Sequence, residues 1–154
     1  HLPTRRQRQM CIRDRSLIGP STNRWVPEII DANDPEDISY YPYMNGQLVF
    51  KNAVVRFSEV IMEGLNHNDL TPDKINMLIP HQANLRISQF VQKKFGLSDD
   101  QVYNNIQKYG NTTAGSIPIA LTEAWENSKI NDGDIVVLAA FGSGFTWGST
   151  IIRW

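Results

Sequence analysis

The sequence predicts an α/β fold with a mixed sheet and helices packed on it, and three observations lead there. Short apolar runs alternate with segments whose apolar residues recur every three to four positions. Residues 75–80 and 134–141 are apolar runs of strand length bounded by turn residues, as buried strands are. Residues 146–154 follow the second run after a glycine-rich link, so an antiparallel pair is expected to close the sheet.

The elements follow in chain order. Residues 16–46 read as loop-rich, with Pro20, Pro27, Pro35 and Pro42 spaced among Asp31, Asn33, Asp34 and Asp37. A short strand over 25–30 is the one element expected there. From Gln47 the pattern turns helical: Leu48, Val49, Ala53, Phe57, Val60 and Ile61 share a face, and Gly64 is read as the stop. His67-Asn68-Asp69 is a loop, and residues 71–74 make a turn or a short helical start. The strand over 75–80 ends on Pro80, just before His81. A helix is expected over 84–95, where Ile87, Val91 and Phe95 follow i, i+4, i+8 with Phe90 beside them, and Gly96 is the C-cap. A short strand is expected over 102–106. Residues 110–116 form a small-residue turn into a helix over 117–128, which requires Pro118 to lie in its first turn. Asn131-Asp132-Gly133 is a turn into the final two strands.

With 154 residues, 41% hydrophobic and 20% charged, the chain has the composition of an ordinary globular protein. The longest apolar run, near 135–141, falls far short of the roughly 20 residues needed to cross a bilayer. No apolar segment of a secretory signal follows the N-terminal charges. A single cysteine, Cys11, excludes an internal disulfide framework and fits a reducing compartment, so a cytoplasmic location and no membrane partner are expected.

Charge is uneven. Net charge is −1, yet Arg5, Arg6, Arg8, Arg13 and Arg15 crowd the first fifteen positions. Without that segment 10 basic residues face 15 acidic ones, and the body carries about −5. A basic arm is the raw material of a nucleic-acid contact. The stretch RRQRQMCIRDR, however, has no hydrophobic periodicity or cap and resembles translated adapter read-through. Residues 1–15 are therefore expected to be a non-native or disordered arm, with no nucleic-acid partner and no catalytic role for Cys11. Residues 16–46 are the lead-in, and 47–154 the domain.

Three segments place polar groups where strands end and loops meet, the usual location of sites in open α/β sheets. His81-Gln82-Ala83-Asn84 sets an imidazole at the mouth of a helix, although most such histidines serve structure. Asn111, in Tyr109-Gly110-Asn111-Thr112-Thr113-Ala114-Gly115-Ser116, can present an amide to a carbonyl or simply cap a helix. Phe141-Gly142-Ser143-Gly144-Phe145-Thr146-Trp147-Gly148 allows close backbone approach, either for an oxyanion or merely to turn a hairpin. It lacks the Gly-Lys-Ser/Thr of a phosphate loop.

Taken together and in order, HQANLR, YGNTTAGSIP, AAFGSGFTWGS and the terminal IIRW resemble the β-ketoacyl-[acyl carrier protein] synthase III family. The likeness reaches upstream to MNGQLVFKNAV and covers about residues 16–154. It implies the C-terminal half of a thiolase-like fold, with the first strands of that half missing. The implied reaction is decarboxylative condensation of an acyl-CoA with malonyl-acyl carrier protein, beginning type II fatty-acid synthesis, with no cofactor beyond these substrates and no metal.

Matching positions imply roles. His81 and Asn111 bind the malonyl thioester carbonyl, where two neutral donors stabilise the enolate as it forms. Phe141 stands against the malonyl carboxylate. Ser143 replaces the middle glycine of the family's usual triple-glycine turn, whose backbone N–H serves the oxyanion hole. Gly46, Gln47, Phe50, Ala83 and Asn84 line the tunnel for coenzyme A or the phosphopantetheine arm; Gln47 stands where the family often has asparagine. Lys51, Arg86, Lys93 and Lys94 dock the acidic carrier protein, and Arg86 and Lys93, seven apart, share a helix face.

The same resemblance implies that the cysteine nucleophile lies in an N-terminal half outside this chain. The fragment is thus expected to be inactive alone, and the full-length enzyme a homodimer. A type III polyketide synthase or another thiolase-fold acyltransferase is the neighbouring alternative, but the polyketide synthases usually close with Gly-Phe-Gly-Pro-Gly and act on free coenzyme A esters. A non-catalytic interaction fragment rests on the arginine-rich arm alone.

Overall fold

The computed structural model describes residues 18–19, 43–142 and 145–154. The arm over 1–15 with Cys11, the strand expected over 25–30, and Ser143 with Gly144 lie outside the described residues. Within the lead-in, β1 (Ile18–Gly19) pairs antiparallel with β2 (Tyr43–Met44), Ile18 opposite Met44. Helix α1 (Gly46–His67) follows. Its start is capped by Asn45, whose Oδ1 accepts the Leu48 N–H at 3.1 Å.

The chain divides into two compact units. β1, β2, the first turn of α1 and the residues around Gly142 belong to one; Asn52–Phe141 and Trp147–Trp154 form the other. The larger unit holds the sheet. Strand β3 (Met77–Pro80) runs parallel to β4 (Ile135–Gly142), with Met77 opposite Val136 and Pro80 opposite Ala139. Strand β5 (Thr146–Arg153) lies on the other side of β4. Its far end meets the beginning of β4: Trp154 N–H donates to Asp134 O, and Gly133 N–H to Trp154 O, both at 2.9 Å. The sheet is therefore mixed and closes antiparallel, as expected.

Between β3 and β4 come α2 (Leu85–Phe95), α3 (Ile106–Tyr109) and α4 (Ser116–Glu126). Short 3₁₀ turns occupy Pro72–Lys74, Asp99–Gln101 and Thr113–Gly115. One core cluster joins Met77, Ile79 and Val136 of the sheet to Ala120 and Ala124 of α4, with Ile152 of β5 packed against it. Ser149 and Ile151 point the other way, toward α1, because strand side chains alternate between faces. Helices thus cover both faces of the sheet.

Three expectations need correction. Gly64 does not end α1, which runs on to His67. The glycine is needed because a Cβ there would meet Ser149 Oγ at 2.8 Å. Residues 102–106 form no strand beyond one parallel bridge, Leu78 to Val102. The Gln82 side chain takes the Asn105 and Ile106 N–H groups that a ladder would need, and α3 begins instead. Phe90, read with the apolar face of the helix over 84–95, is 45% exposed. Pro118, as required, sits in the first turn of α4, where its missing N–H costs nothing.

Candidate functional site

The core of the candidate site is a junction between two loops. His81 follows β3 directly, its backbone N–H held by Ala139 O at 2.8 Å. It is partly buried, and burial pushes the imidazole below its ordinary value, so the ring is neutral at neutral pH. Its Nδ1 lies 2.5 Å from Ser116 Oγ, at the first residue of α4. The same hydroxyl oxygen accepts the Gln82 backbone N–H at 3.3 Å.

Gln82 braces the other side. Its buried amide donates from Nε2 to Pro80 O (2.7 Å) and Tyr103 O (3.2 Å). Its Oε1 accepts from Asn105 N–H (3.0 Å) and Ile106 N–H (3.2 Å). The side chain is saturated, and it ties the end of β3 to the start of α3.

Asn111 lies between these two anchors, in an exposed position. Gly110 before it has φ 69°, a conformation that favours glycine. Thr113 after it has φ 51°, a strained value for a β-branched residue. The turn is held by Asn111 Oδ1, which accepts the Thr113 N–H at 2.8 Å. The amide oxygen, not the NH2, must receive that N–H, so this bond orients the amide and leaves Nδ2 as a pure donor.

A charged knot secures α3 against α4. Glu123 accepts hydrogen bonds from Asn105 Nδ2 (2.8 Å), Lys108 Nζ (2.6 Å) and Tyr109 OH (2.5 Å). The Asn105 bond foremost, with those of Lys108 and Tyr109, holds the Glu123 carboxyl down to about 2. The same carboxylate raises the Lys108 ammonium above its ordinary range.

The remaining expected residues are placed as follows. Phe141 is buried near the end of β4 and stacks on Trp147, centroids 6.3 Å apart and planes 9° from parallel. Arg56 lies 4.9 Å over the Trp147 ring and pairs with Glu59 at 2.6 Å. Asn84 serves as N-cap of α2, its Oδ1 accepting the Arg86 N–H at 2.9 Å, and Ala83 beside it is exposed. Arg86, Lys93 and Lys94 are exposed on α2. In the smaller unit, Gly46, Gln47 and Lys51 are exposed on the first turns of α1 and Phe50 is half-buried.

Reading the sequence singled out His81 and Asn111 but not the residues that brace them: Gln82, Asn105, Ser116 and Glu123. The one available signal was an amide two residues past a buried strand, which must find partners. Among the described residues no group of His, Cys, Asp and Glu is arranged to hold a metal, and no helix is long and apolar enough to cross a membrane. A shallow surface hollow of about 610 Å³ along α1, lined by Glu59, Met62, Glu63, Asn66 and His67, includes none of the candidate residues.

Comparison with known proteins reaches the same region. A family model described as 3-oxoacyl-[acyl-carrier-protein (ACP)] synthase III C terminal matches residues 65–154. A β-ketoacyl-[acyl-carrier-protein] synthase III of Chlorobium phaeovibrioides is 42% identical over 119 residues, 77% of this chain and 36% of its own length. The protein of the same name from Caldanaerobacter subterraneus is 49% identical over 112 residues, 73% of this chain and 34% of its own. The crystal structure of the Thermus thermophilus synthase III superposes with a TM-score of 0.72 at 42% identity, covering 73% of this chain and 35% of that one. The Pseudomonas aeruginosa structure gives 0.75 at 34% identity, covering 90% and 39%. The chain thus spans little more than a third of the length of such relatives.

Proposed function

The chain belongs to the 3-oxoacyl-[acyl-carrier-protein] synthase III family, and from that membership we propose that it forms the C-terminal part of a condensing acyltransferase. The substrates are an acyl-CoA and malonyl-acyl carrier protein, and the reaction starts type II fatty-acid synthesis. The enzyme needs no further cofactor, works in the cytoplasm and is a homodimer when complete.

In the first step a cysteine thiolate, supplied by sequence outside this chain, takes the acyl group from coenzyme A. Malonyl-acyl carrier protein then binds, its phosphopantetheine arm passing Ala83 and Asn84. Its carrier docks on Arg86, Lys93 and Lys94. As the bond to the carboxylate breaks, its electron pair moves onto the thioester, and charge builds on the carbonyl oxygen. His81 and Asn111 meet that oxygen as neutral donors. Phe141 offers the leaving carboxylate an apolar wall, which favours loss of carbon dioxide over retention of charge. The enolate carbon attacks the acyl-cysteine carbonyl, the backbone at Ser143 holds the resulting oxyanion, and the thiolate leaves.

The observation that supports this reading best is the Asn111 turn. Its amide oxygen is turned to the backbone by the Thr113 N–H, which leaves the Nδ2 hydrogens as donors for a substrate oxygen. The test is a chimera in which residues 45–154 replace the corresponding part of the Thermus thermophilus enzyme. It is expected to form acetoacetyl-carrier protein, while the 154-residue chain alone forms none. His81→Ala and Asn111→Ala should each lower the chimera's rate by about 10²–10³. Product formation by the isolated chain, or full activity of both variants, would overturn the proposal.

A further inference from the structure

The Ser116 hydroxyl raises a question that hydrogen-bond accounting answers. A serine hydroxyl has one hydrogen to give and room to accept two. Ser116 is 2% exposed, so water does not make up a shortfall. Its oxygen already accepts one hydrogen, from Gln82 N–H. Among the described residues, its other recorded partner is His81 Nδ1 at 2.5 Å.

Two assignments are possible for that contact. If Nδ1 carried the proton, the oxygen would receive two hydrogens and its own would have no acceptor in a buried site. If Nδ1 is the bare nitrogen, the hydroxyl gives its hydrogen to the ring and every group is satisfied. The ring proton then lies on Nε2. We propose that Ser116 is a positioning residue that fixes His81 as the neutral tautomer protonated on Nε2.

The consequence for chemistry is a matter of sign. A bare Nε2 would face a developing enolate oxygen with a lone pair and repel it, whereas Nε2–H donates to it. The use of this proton rests on the reading above; the tautomer itself does not. Ser116 and Thr113 thus do the same thing for two different side chains. Each engages an acceptor atom of its partner and leaves a nitrogen that donates. Because Ser116 is the first residue of α4 and Asn111 lies five positions earlier, one segment supplies both the amide and the group that sets the imidazole.

Nitrogen NMR of the histidine rings tests this on the 154-residue chain itself. With ¹⁵N-labelled histidine, the His81 signals are assigned by their loss in His81→Asn. The expected wild-type spectrum at neutral pH has an unprotonated Nδ1 and a protonated Nε2. Ser116→Ala should move the Nδ1 signal away from its hydrogen-bonded position and admit the second tautomer, and Ser116→Thr, which keeps a hydroxyl, should restore the wild-type pattern. A wild-type ring protonated on Nδ1 would overturn the proposal, and this holds even if Ser116→Ala does not fold. A folded Ser116→Ala chain with both ring nitrogens unshifted would overturn it equally. No substrate enters these spectra, so a chimera without His81-dependent condensation refutes the proposed function alone.

Discussion

Gly64 of α1 and Ser149 of β5 approach so closely that a Cβ on the glycine would lie 2.8 Å from Ser149 Oγ. Ser149 is not at liberty to swing aside, since its hydroxyl donates to Val60 O at 2.7 Å. Ile151 closes the same space, with two side-chain carbons 3.3 Å from that Cβ. In an open helix, alanine would be favoured over glycine by about 1 kcal/mol. Overpacking typically costs about 1–3 kcal/mol. Gly64→Ala is therefore expected to lose up to about 2 kcal/mol net, read as a lower urea midpoint at constant m. Gly148→Ala, with no atom within 4 Å of its Cβ, should be neutral or better. A stabilised Gly64→Ala would show that α1 and β5 are not packed this closely.

The Glu123 knot predicts a pH dependence. Its carboxyl titrates at about 2 in the folded chain against 4.5 for an unperturbed glutamate. The unfolded chain thus binds the proton first as pH falls. The contribution is complete above 4.5 and is lost as pH falls toward 2. Denaturation curves of wild type and Glu123→Gln should differ most at neutral pH and converge across that window. His81 titrates separately: burial lowers it from 6.5, so stability falls as pH drops below that value, in both proteins alike. A gap that stayed constant from neutral pH down to 2 would rule out the carboxylate as its origin.

Gln82 should be more sensitive to charge than to size. Gln82→Met removes the acceptor of two backbone N–H groups, at about 1–3 kcal/mol for each buried group left unpaired. Gln82→Glu keeps that acceptor but sets an anion against Pro80 O and Tyr103 O, both acceptors themselves. It is expected to be the less stable of the two at neutral pH and to recover on acidification, as the carboxyl gains a proton to donate. Thermal melts at neutral and mildly acidic pH decide this; a Gln82→Glu chain as stable as wild type would contradict the saturated amide.

These braces explain what was legible in the sequence. Periodicity placed α1, α2, α4 and the three sheet strands within a few residues, because each buries a continuous apolar stripe. It failed at 102–106, where the side chain of Gln82, 23 and 24 residues away, takes the backbone N–H groups of Asn105 and Ile106. It failed at Gly64 as well, since a stop glycine and a close-packed one look alike until the neighbouring strand is in place. His81 stood out because it ends an apolar run, and Asn111 because it sits in a recognisable small-residue turn. Ser116 and Glu123 did not: a serine and a glutamate in a helix become informative only when their long-range partners are known.

The exposed face of α2 yields the last prediction. Arg86, Phe90 and Lys94 are spaced i, i+4, i+8, and Lys93 is one turn from Phe90, so all four share an exposed side of the helix that borders the buried stripe of Ile87 and Val91. Phe90 is 45% exposed amid this positive charge, on a body that is otherwise acidic. An acidic carrier protein with an apolar spot between its carboxylates would match both features, and the two should separate in the salt dependence of binding. Arg86→Glu turns attraction into repulsion and is expected to weaken binding roughly tenfold or more at low salt, with the deficit shrinking as salt screens the charges. Phe90→Ser removes apolar burial instead, so its deficit should persist at high salt. Calorimetric titration of the chain with acyl carrier protein at two ionic strengths distinguishes them. Binding that ignores both substitutions would move the docking surface off α2.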